Sequence, residues 1–384
     1  QTETAITGRL TAKRDALAPV DAAFNETTNS GISSAMNNFF GAFRDLEANP
    51  SSVPLRTIVA EKGTALAEAF NSTRSRLTGI QQDADNSLRS AVDDVNRLAA
   101  QVADLNVKIK FAEGTQGSAS ELRDKRDEAV RQLSEITGAR AIETDGMVTL
   151  SLADGQQLVA GGQATQLQAV STPPNGLATI QINGGPAAIN DGRLRGLLDA
   201  IGEIGGHITA LDDMAAEITS RVNTLHTSGT DLDGNAGVNF FAVPAGGGAV
   251  TAANFSVSSA VKSNSRLVVA SPLAGSTSAG TIAGAISNLL SDTSSQVGAR
   301  TGSFNSIYSS IVSDAGAGIS DAENALKTQQ AILDQTTSQR EAVSGVSLDE
   351  EAISLLQYQK AYEAAARFIK IADEMTQTIF AIAQ

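Results

Sequence analysis

Residues 193–225, RLRGLLDAIGEIGGHITALDDMAAEITSRVNTL, set Leu197, Ile201, Ile204, Ile208, Leu211, Ala215, Ile218, Val222 and Leu225 at unbroken alternating spacings of four and three. A stripe of that period lies along one side of an α-helix and repeats as a heptad, the pattern of a helix packed lengthwise on another helix. Such a seam is not stable in water alone. What the remaining chain offers as partners therefore decides the fold.

Two other seams answer it. Upstream, Leu55 to Ala112 contains no proline and only Gly63 and Gly79 as weak interruptions, so it predicts a helix of about 87 Å. Its second half carries Ala84, Leu88, Ala91, Val95, Leu98, Val102, Leu105 and Ile109 at the same alternation. Glu113-Gly114 ends it, and Ser118 to Ile136 folds back as a second helix stopped by Gly138. Downstream, Phe304, Tyr308, Ile311, Ala315, Gly318, Ala322, Ala325, Gln329, Ile332, Thr336 and Val343 form a smaller, more polar seam. Ile32, Met36, Phe39, Phe40, Phe43 and Leu46 mark a core helix closed by Asn49-Pro50, and Gln1 to about Leu17 reads as a helix interrupted at Pro19.

Between the helices the period falls to two. Ala139 to Ile142, Met147 to Leu152, Gln157 to Ala160, Leu167 to Val170 and Leu177 to Ile182 predict short strands of one small antiparallel unit, with Asp145-Gly146 and Asp154-Gly155 as hairpin turns. Phe240-Phe241, Ser256 to Ser258 and Leu267 to Ala270 predict extended pieces in a Gly- and Val-rich stretch. The expected fold class is mainly α with β insertions (α+β): an elongated antiparallel coiled-coil-like helical bundle, a small antiparallel β domain and a C-terminal assembly helix. The expected divisions are the opening helices of the bundle at 1–138, a β-hairpin insertion at 139–191, a long bundle helix at 192–228, an outer β-rich insertion at 229–280, return helices at 281–345 and the C-terminal helix at 346–384.

That last helix has no obvious partner in the sequence. Ser347 and Glu350 form a capping box, and Asp349, Glu350 and Glu351 favour the positive end of the helix dipole. Leu355, Tyr358, Tyr362, Ala365, Ile369, Ala372, Thr376 and Ile379 make an a/d row, with Ala361, Phe368, Met375 and Ile382 recurring every seven residues beside it. The stripe is wider than a two-stranded seam requires, so Leu355, Tyr358, Tyr362, Ala365, Phe368, Ile369, Ala372, Met375, Ile379 and Ile382 are the candidate assembly interface.

Composition narrows the function. The 384-residue chain has no Cys or Trp, 3 Tyr, 2 His and 4% aromatic residues, which leaves few groups for catalysis. A net charge of -14 opposes binding to nucleic acid or an anionic membrane surface. No window offers the apolar length needed for membrane insertion, and QTETAITGRLTAKRD is no signal peptide. In DLDGNAG, Asp231, Asp233 and Asn235 suggest a calcium loop, but Ala236 and Ala242 stand where such loops need Gly and Glu, so the stretch reads as an Asx/Gly turn. His207 and His226 have no His or Cys three or four residues away and predict no metal site; His207, beside a seam position, is expected at the surface. No Gly-x-Ser-x-Gly elbow occurs, and Gly246-Gly247-Gly248 lacks the Lys-Ser/Thr of a phosphate loop. No catalytic, cofactor or metal site is expected.

The run SGVSLDEEAISLLQYQKAYEAAARFIKIADEM, Ser344 to Met375, resembles the C-terminal signature of the bacterial flagellar hook-associated protein 1 family, the hook-filament junction proteins. LRDKRDEAVRQLSEITG, Leu122 to Gly138, and DLDGNAGVNFFAV, Asp231 to Val243, resemble that family as well. The resemblance implies a helical bundle with an outer β domain, a structural rather than enzymatic role, and a further helical segment upstream of Gln1. It also implies an extracellular place on the flagellum, reached through flagellar (type III) export without a cleaved signal. The implied partners are further copies of the chain in a ring or helical assembly, the hook protein, the second hook-filament junction protein and a flagellar export chaperone. Alternatives are a flagellin-like filament subunit or the second junction protein itself, and, from another class, a surface ligand-binding protein or adhesin. Against the adhesin stands the lack of an aromatic platform for sugars.

Overall fold

The computed structural model describes residues 2–24, 31–114, 119–272, 279–344 and 348–382. Two compact units are formed, Gln1–Gln329 and Gln330–Gln384. The first contains helices α1 (Thr2–Phe24), α2 (Ile32–Ala48), α3 (Val53–Gly114), α4 (Ser120–Thr137) and α5 (Gly192–Thr227), the short helices α6 (Ser259–Ser263) and α7 (Thr281–Asn288), and most of α8 (Phe304–Ser344). The second holds the end of α8 and all of α9 (Leu348–Ile382).

The seams of α3 and α5 are covered. From Ala84 to Ile109 every seam residue of α3 is buried, and so is every one of α5 from Leu197 to Val222. Helix α5 runs antiparallel to α3, since Arg74 binds Asp212 at 2.8 Å while Gln81, further along α3, donates to the Ile201 carbonyl at 2.9 Å. Helix α1 lies parallel to α5, with Lys13 on Glu203 at 2.8 Å and the Phe24 ring edge-on to His207. At Gly196 the α5 backbone meets Arg9 so closely that a Cβ would collide with the Arg9 carbonyl.

Proline does not stop α1. The helix passes Pro19 and continues to Phe24, because Leu17, Val20, Ala23 and Phe24 around it are all buried. Their packing outweighs the one backbone bond that proline removes. On α8 the seam holds through Ala322, then shifts from the expected Ala325, which is exposed, to the buried Leu326.

The strands between α4 and α5 form two sheets rather than one. The first has order β1 (Arg140–Thr144), β2 (Met147–Ser151), β3 (Gln157–Ala160), β4 (Gln163–Ala164); the second has β5 (Leu167–Thr172), β6 (Leu177–Ile182), β7 (Gly185–Pro186), all antiparallel. Asp145 and Gly146 take the positive φ of the expected hairpin turn, 51° and 76°. A further hairpin, β8 (Ser295–Val297) and β9 (Arg300–Gly302), stands where only helices and a loop were expected.

The segment after α5 corrects the expectation of an outer β-rich insertion at 229–280. Its described residues make isolated bridges, α6 and a 3-10 turn at Ser265–Leu267 rather than a sheet. Phe240, Phe241, Phe255, Val257 and Val268 are buried in the same core as Phe39, Phe40 and Phe43 of α2 and Phe70 of α3. The rings meet at centroid distances of 5.4 Å for Phe39 with Phe240, 4.9 Å for Phe240 with Phe241 and 4.5 Å for Phe241 with Phe255. Gly63 is what admits them, since a Cβ there would sit 2.7 Å from the Phe240 ring. Short extended pieces rich in aromatics thus fill the core, which a period-two pattern does not distinguish from a strand.

Helix side chains hold the inserted backbone. Asn96 accepts from Leu167 N at 2.8 Å and donates to Leu167 O at 2.9 Å. Asn106 does the same to Val148, at 3.0 and 2.8 Å, and Asn223 to Phe241, at 2.9 Å for both bonds. Each carboxamide pairs with one residue's N–H and C=O as a neighbouring strand would, so a helix supplies a sheet-like edge. Removing the side chain strands a buried donor and acceptor together. Asn223→Ala is expected to lower the unfolding free energy by about 2–4 kcal/mol, read from the shift of the urea midpoint, with Asn223→Asp no milder because a carboxylate cannot donate to the Phe241 carbonyl.

Candidate assembly surface

Helix α9 spans 35 residues. Ser347 of the expected capping box lies outside the described residues, as do the side chains of Glu350, Ile379 and Ile382. Between them the stripe is exposed: Leu355, Tyr358, Tyr362, Phe368, Ile369 and Met375 range from 64% to 79% accessible, and Ala365 and Ala372 are exposed with them. The two units differ sharply here, because the a/d residues of α5 are buried almost without exception.

At 100° per residue the apolar side chains of α9 occupy roughly half the helix circumference. They form two rows. The first is Leu355, Tyr358, Tyr362, Ala365, Ile369 and Ala372; the second runs Ala361, Ala364, Phe368, Ile371 and Met375, again at spacings of three and four. A count by sevens finds only part of the second row and misses Ala364 and the exposed Ile371. The intermediate spacing is the signal that finds both. Lys360, Glu363, Arg367, Lys370 and Glu374 fall on the remaining face, with Lys360 and Glu363 paired at 3.2 Å. The Thr376 hydroxyl is turned back onto the Ala372 carbonyl at 2.7 Å, so this position contributes its methyl to the row.

The other candidates resolve differently. Asp231 Oδ1 accepts from the amides of Asp233 and Asn235 at 2.8 Å each, and Oδ2 from the Asn235 side chain at 3.1 Å. Asp233 binds Arg266. The oxygens that a calcium ion would need are turned inward to make the loop an Asx turn. Among the described residues no group of His, Asp and Glu could hold a metal, and no helix is long and apolar enough to cross a membrane.

His207 is not at the surface. It is buried against Phe24 of α1, because α5 is packed on more than its a/d seam. Burial lowers its pKa, with Glu203 and Asp314 opposing the shift. His226 is fully buried: Nδ1 lies 2.5 Å from Val238 O and Nε2 accepts from Val269 N at 2.9 Å. The ring is neutral, with its proton on Nδ1, and it staples two distant points of the 229–272 segment to the end of α5. Burial pushes its pKa down to about 4.

Residues 17–241 match the family described as the flagellar hook-associated protein FlgK helical domain, and residues 337–382 match the flagellar basal body rod FlgEFG protein C-terminal family. The first match covers more than half of the chain. The chain belongs to the FlgK family of flagellar hook-associated proteins. The flagellar hook-associated protein 1 of Bacillus subtilis is 27% identical over 96% of this chain and 79% of its own length. That of Escherichia coli is 28% identical over 61% of this chain and 45% of its own length. The structure of the flagellar hook junction protein FlgK from Burkholderia pseudomallei superposes with a TM-score of 0.76 at 17% identity, covering 89% of this chain and 99% of that one. The chain is accordingly a structural flagellar subunit of the hook-filament junction, and the α+β bundle agrees with the FlgK fold.

His226 gives the fold a pH dependence of definite sign. An unfolded histidine titrates near 6.5, so between that value and about 4 the unfolded chain binds a proton that the folded chain refuses. Stability is complete above pH 6.5 and declines as pH falls through this window, by up to about 3 kcal/mol for His226. Urea midpoints measured from pH 7 to pH 4.5 should fall accordingly. His207 acts in the same sense, and Gln variants of each histidine, measured separately, should each remove part of the slope.

Proposed function

We propose that α9 is the surface through which the subunit is built into the flagellum, its two rows seating against two neighbouring helices at once. The reading is supported by one observation above all: a continuous apolar half-face on α9 whose described large side chains are exposed. Covering each of them is worth about 2 kcal/mol, so assembly is the state in which this helix is satisfied. One neighbour covers about one seam of a helix, and two rows call for two neighbours. These neighbours are further copies of the chain together with the hook protein on one side and the second hook-filament junction protein on the other.

The same exposed face is a liability before assembly, because it can pair prematurely. A helical export chaperone that covers it in the cytosol, followed by passage through the flagellar export apparatus to the cell exterior without a cleaved signal, removes that liability. No enzymatic step is part of this role. Recovery of such a chaperone from cytosol by the whole chain, but not by a chain ending at residue 344, is the expected result.

The direct test separates the rows. Ile369→Asp places a carboxylate in the first row and Phe368→Asp one in the second, and burying either unpaired costs several kcal/mol at an interface. Each variant is expected to keep the thermal transition of the Gln1–Gln329 unit while cells fail to hold filaments on hooks and release filament protein into the medium. Normal motility with either variant would refute the two-row surface, and loss of the thermal transition would return those residues to an intramolecular core.

A further inference from the structure

Two Asn-Gly pairs occur in the sequence, Asn175-Gly176 and Asn183-Gly184, both exposed and both on turns of the second sheet. Glycine after asparagine leaves the peptide nitrogen unshielded, so it can attack the side-chain amide. What separates the two pairs is how firmly each is held.

Gly176 is clamped at both ends. Its N–H donates to Thr172 O at 3.0 Å, and its carbonyl accepts from Arg89 Nη2 at 3.2 Å. The nitrogen that would have to attack is engaged, and the turn is tied to α3. Asn183-Gly184 is the two-residue connection between β6 and β7, where Ile182 pairs with Gly185. Both residues take positive φ, 52° and 77°, as a type I′ turn demands. The Gly184 amide donates to nothing among the described residues. The strand that closes the turn has two residues, and the second, Pro186, has no N–H to give the ladder. Beyond it one bond, Ala187 N to Ile180 O at 3.0 Å, and one from the Gln156 side chain to Pro186 O at 3.2 Å hold the end. A hairpin tip secured so lightly opens at low cost.

We propose that Asn183 is a site of spontaneous deamidation, giving the chain a charge that accumulates with age at the β6–β7 turn. The Gly184 nitrogen, on losing its proton to solvent base, bonds to Asn183 Cγ. The Cγ–N bond to the side-chain amide breaks, ammonia leaves, and a five-membered succinimide remains. Water opens the ring at either carbonyl, yielding aspartate or isoaspartate, each with one added negative charge. No oxidant, reductant or cofactor enters. The isoaspartate form inserts an extra backbone atom in a turn whose register depends on two residues, and it releases β7 from β6.

The intact chain is incubated at pH 8.5 and 37 °C, and the tryptic peptide spanning 141–193, which contains both pairs, is followed by fragment-ion mass spectrometry. A gain of one mass unit at residue 183, several-fold faster than at 175, is the expected result. An acidic species should grow on ion exchange in step with it and be absent as a new species from Asn183→Asp, which carries the charge from the start. Breaking the clamp with Arg89→Ala should raise the rate at 175 and leave that at 183 unchanged. Conversion at 175 first, equal rates at the two sites, or an unmodified 183 when 175 has reacted would each overturn the proposal.

Discussion

Buried peptide groups must be paired, and a helix has none of its own to spare, since its N–H and C=O groups are spent on one another. Three carboxamides meet that constraint here. Asn96 and Asn106 on α3 hold the two sheets, and Asn223 on α5 holds the Phe240-Phe241 segment, each through a donor and an acceptor aimed at one residue's backbone. Asp85 and Asp212 add single bonds to the amides of Ala178 and Ala252, and each is balanced by an arginine, Arg89 and Arg74. These contacts set the register of the insertions, because apolar side chains by themselves fix distance but not register. Phenylalanine does the complementary work. Aromatics are few in the sequence, yet Phe39, Phe40, Phe43, Phe70, Phe240, Phe241 and Phe255 share one cluster, and His226 closes its edge as a neutral ring.

Much of this was legible in the spacing of apolar residues. The seams of α3 and α5 are long, and every position in a long periodic run reinforces the others, so their burial follows from the pattern. The strand positions from Arg140 to Ile182 were legible for a similar reason, with Asp145-Gly146 marking its turn. The 229–272 segment was not. Its expected extended pieces are two to four residues long, too short for period to carry information, and whether Phe240-Phe241 sits in an outer strand or in the core depends on Gly63, far earlier in the chain. No local rule connects those positions. The same holds for the Asn96, Asn106 and Asn223 clamps, because an asparagine on a helix reads as a solvated polar residue until its partner is known.

The surface expected for His207 and the undercounted second row of α9 share one cause. A heptad seam describes contact with a single neighbour, and both helices carry an apolar row beyond it. On α5, Ala200, His207 and Met214 recur every seven residues beside the a/d seam, and all three are buried. On α9, Ala361, Phe368 and Met375 recur in the same relation to Tyr362, Ile369 and Thr376. The two helices therefore carry the same arrangement. For α5 the Gln1–Gln329 unit supplies both neighbours; on α9 the described members of both rows are exposed.

That contrast bears on how folding and assembly are divided. The neighbours that cover α5 all lie within the Gln1–Gln329 unit, so its apolar rows are satisfied there. The C-terminal unit keeps a pattern of equal apolar width but a polar face carrying Lys360, Glu363, Arg367, Lys370 and Glu374, which suffices to keep a helix in solution without telling it where to pack. Under the assembly role proposed for α9, stability of the body and affinity of the assembly are set by separate residues: a change at the buried Met214 acts on the fold and one at the exposed Met375 on the join, although the two methionines hold equivalent places on their helices.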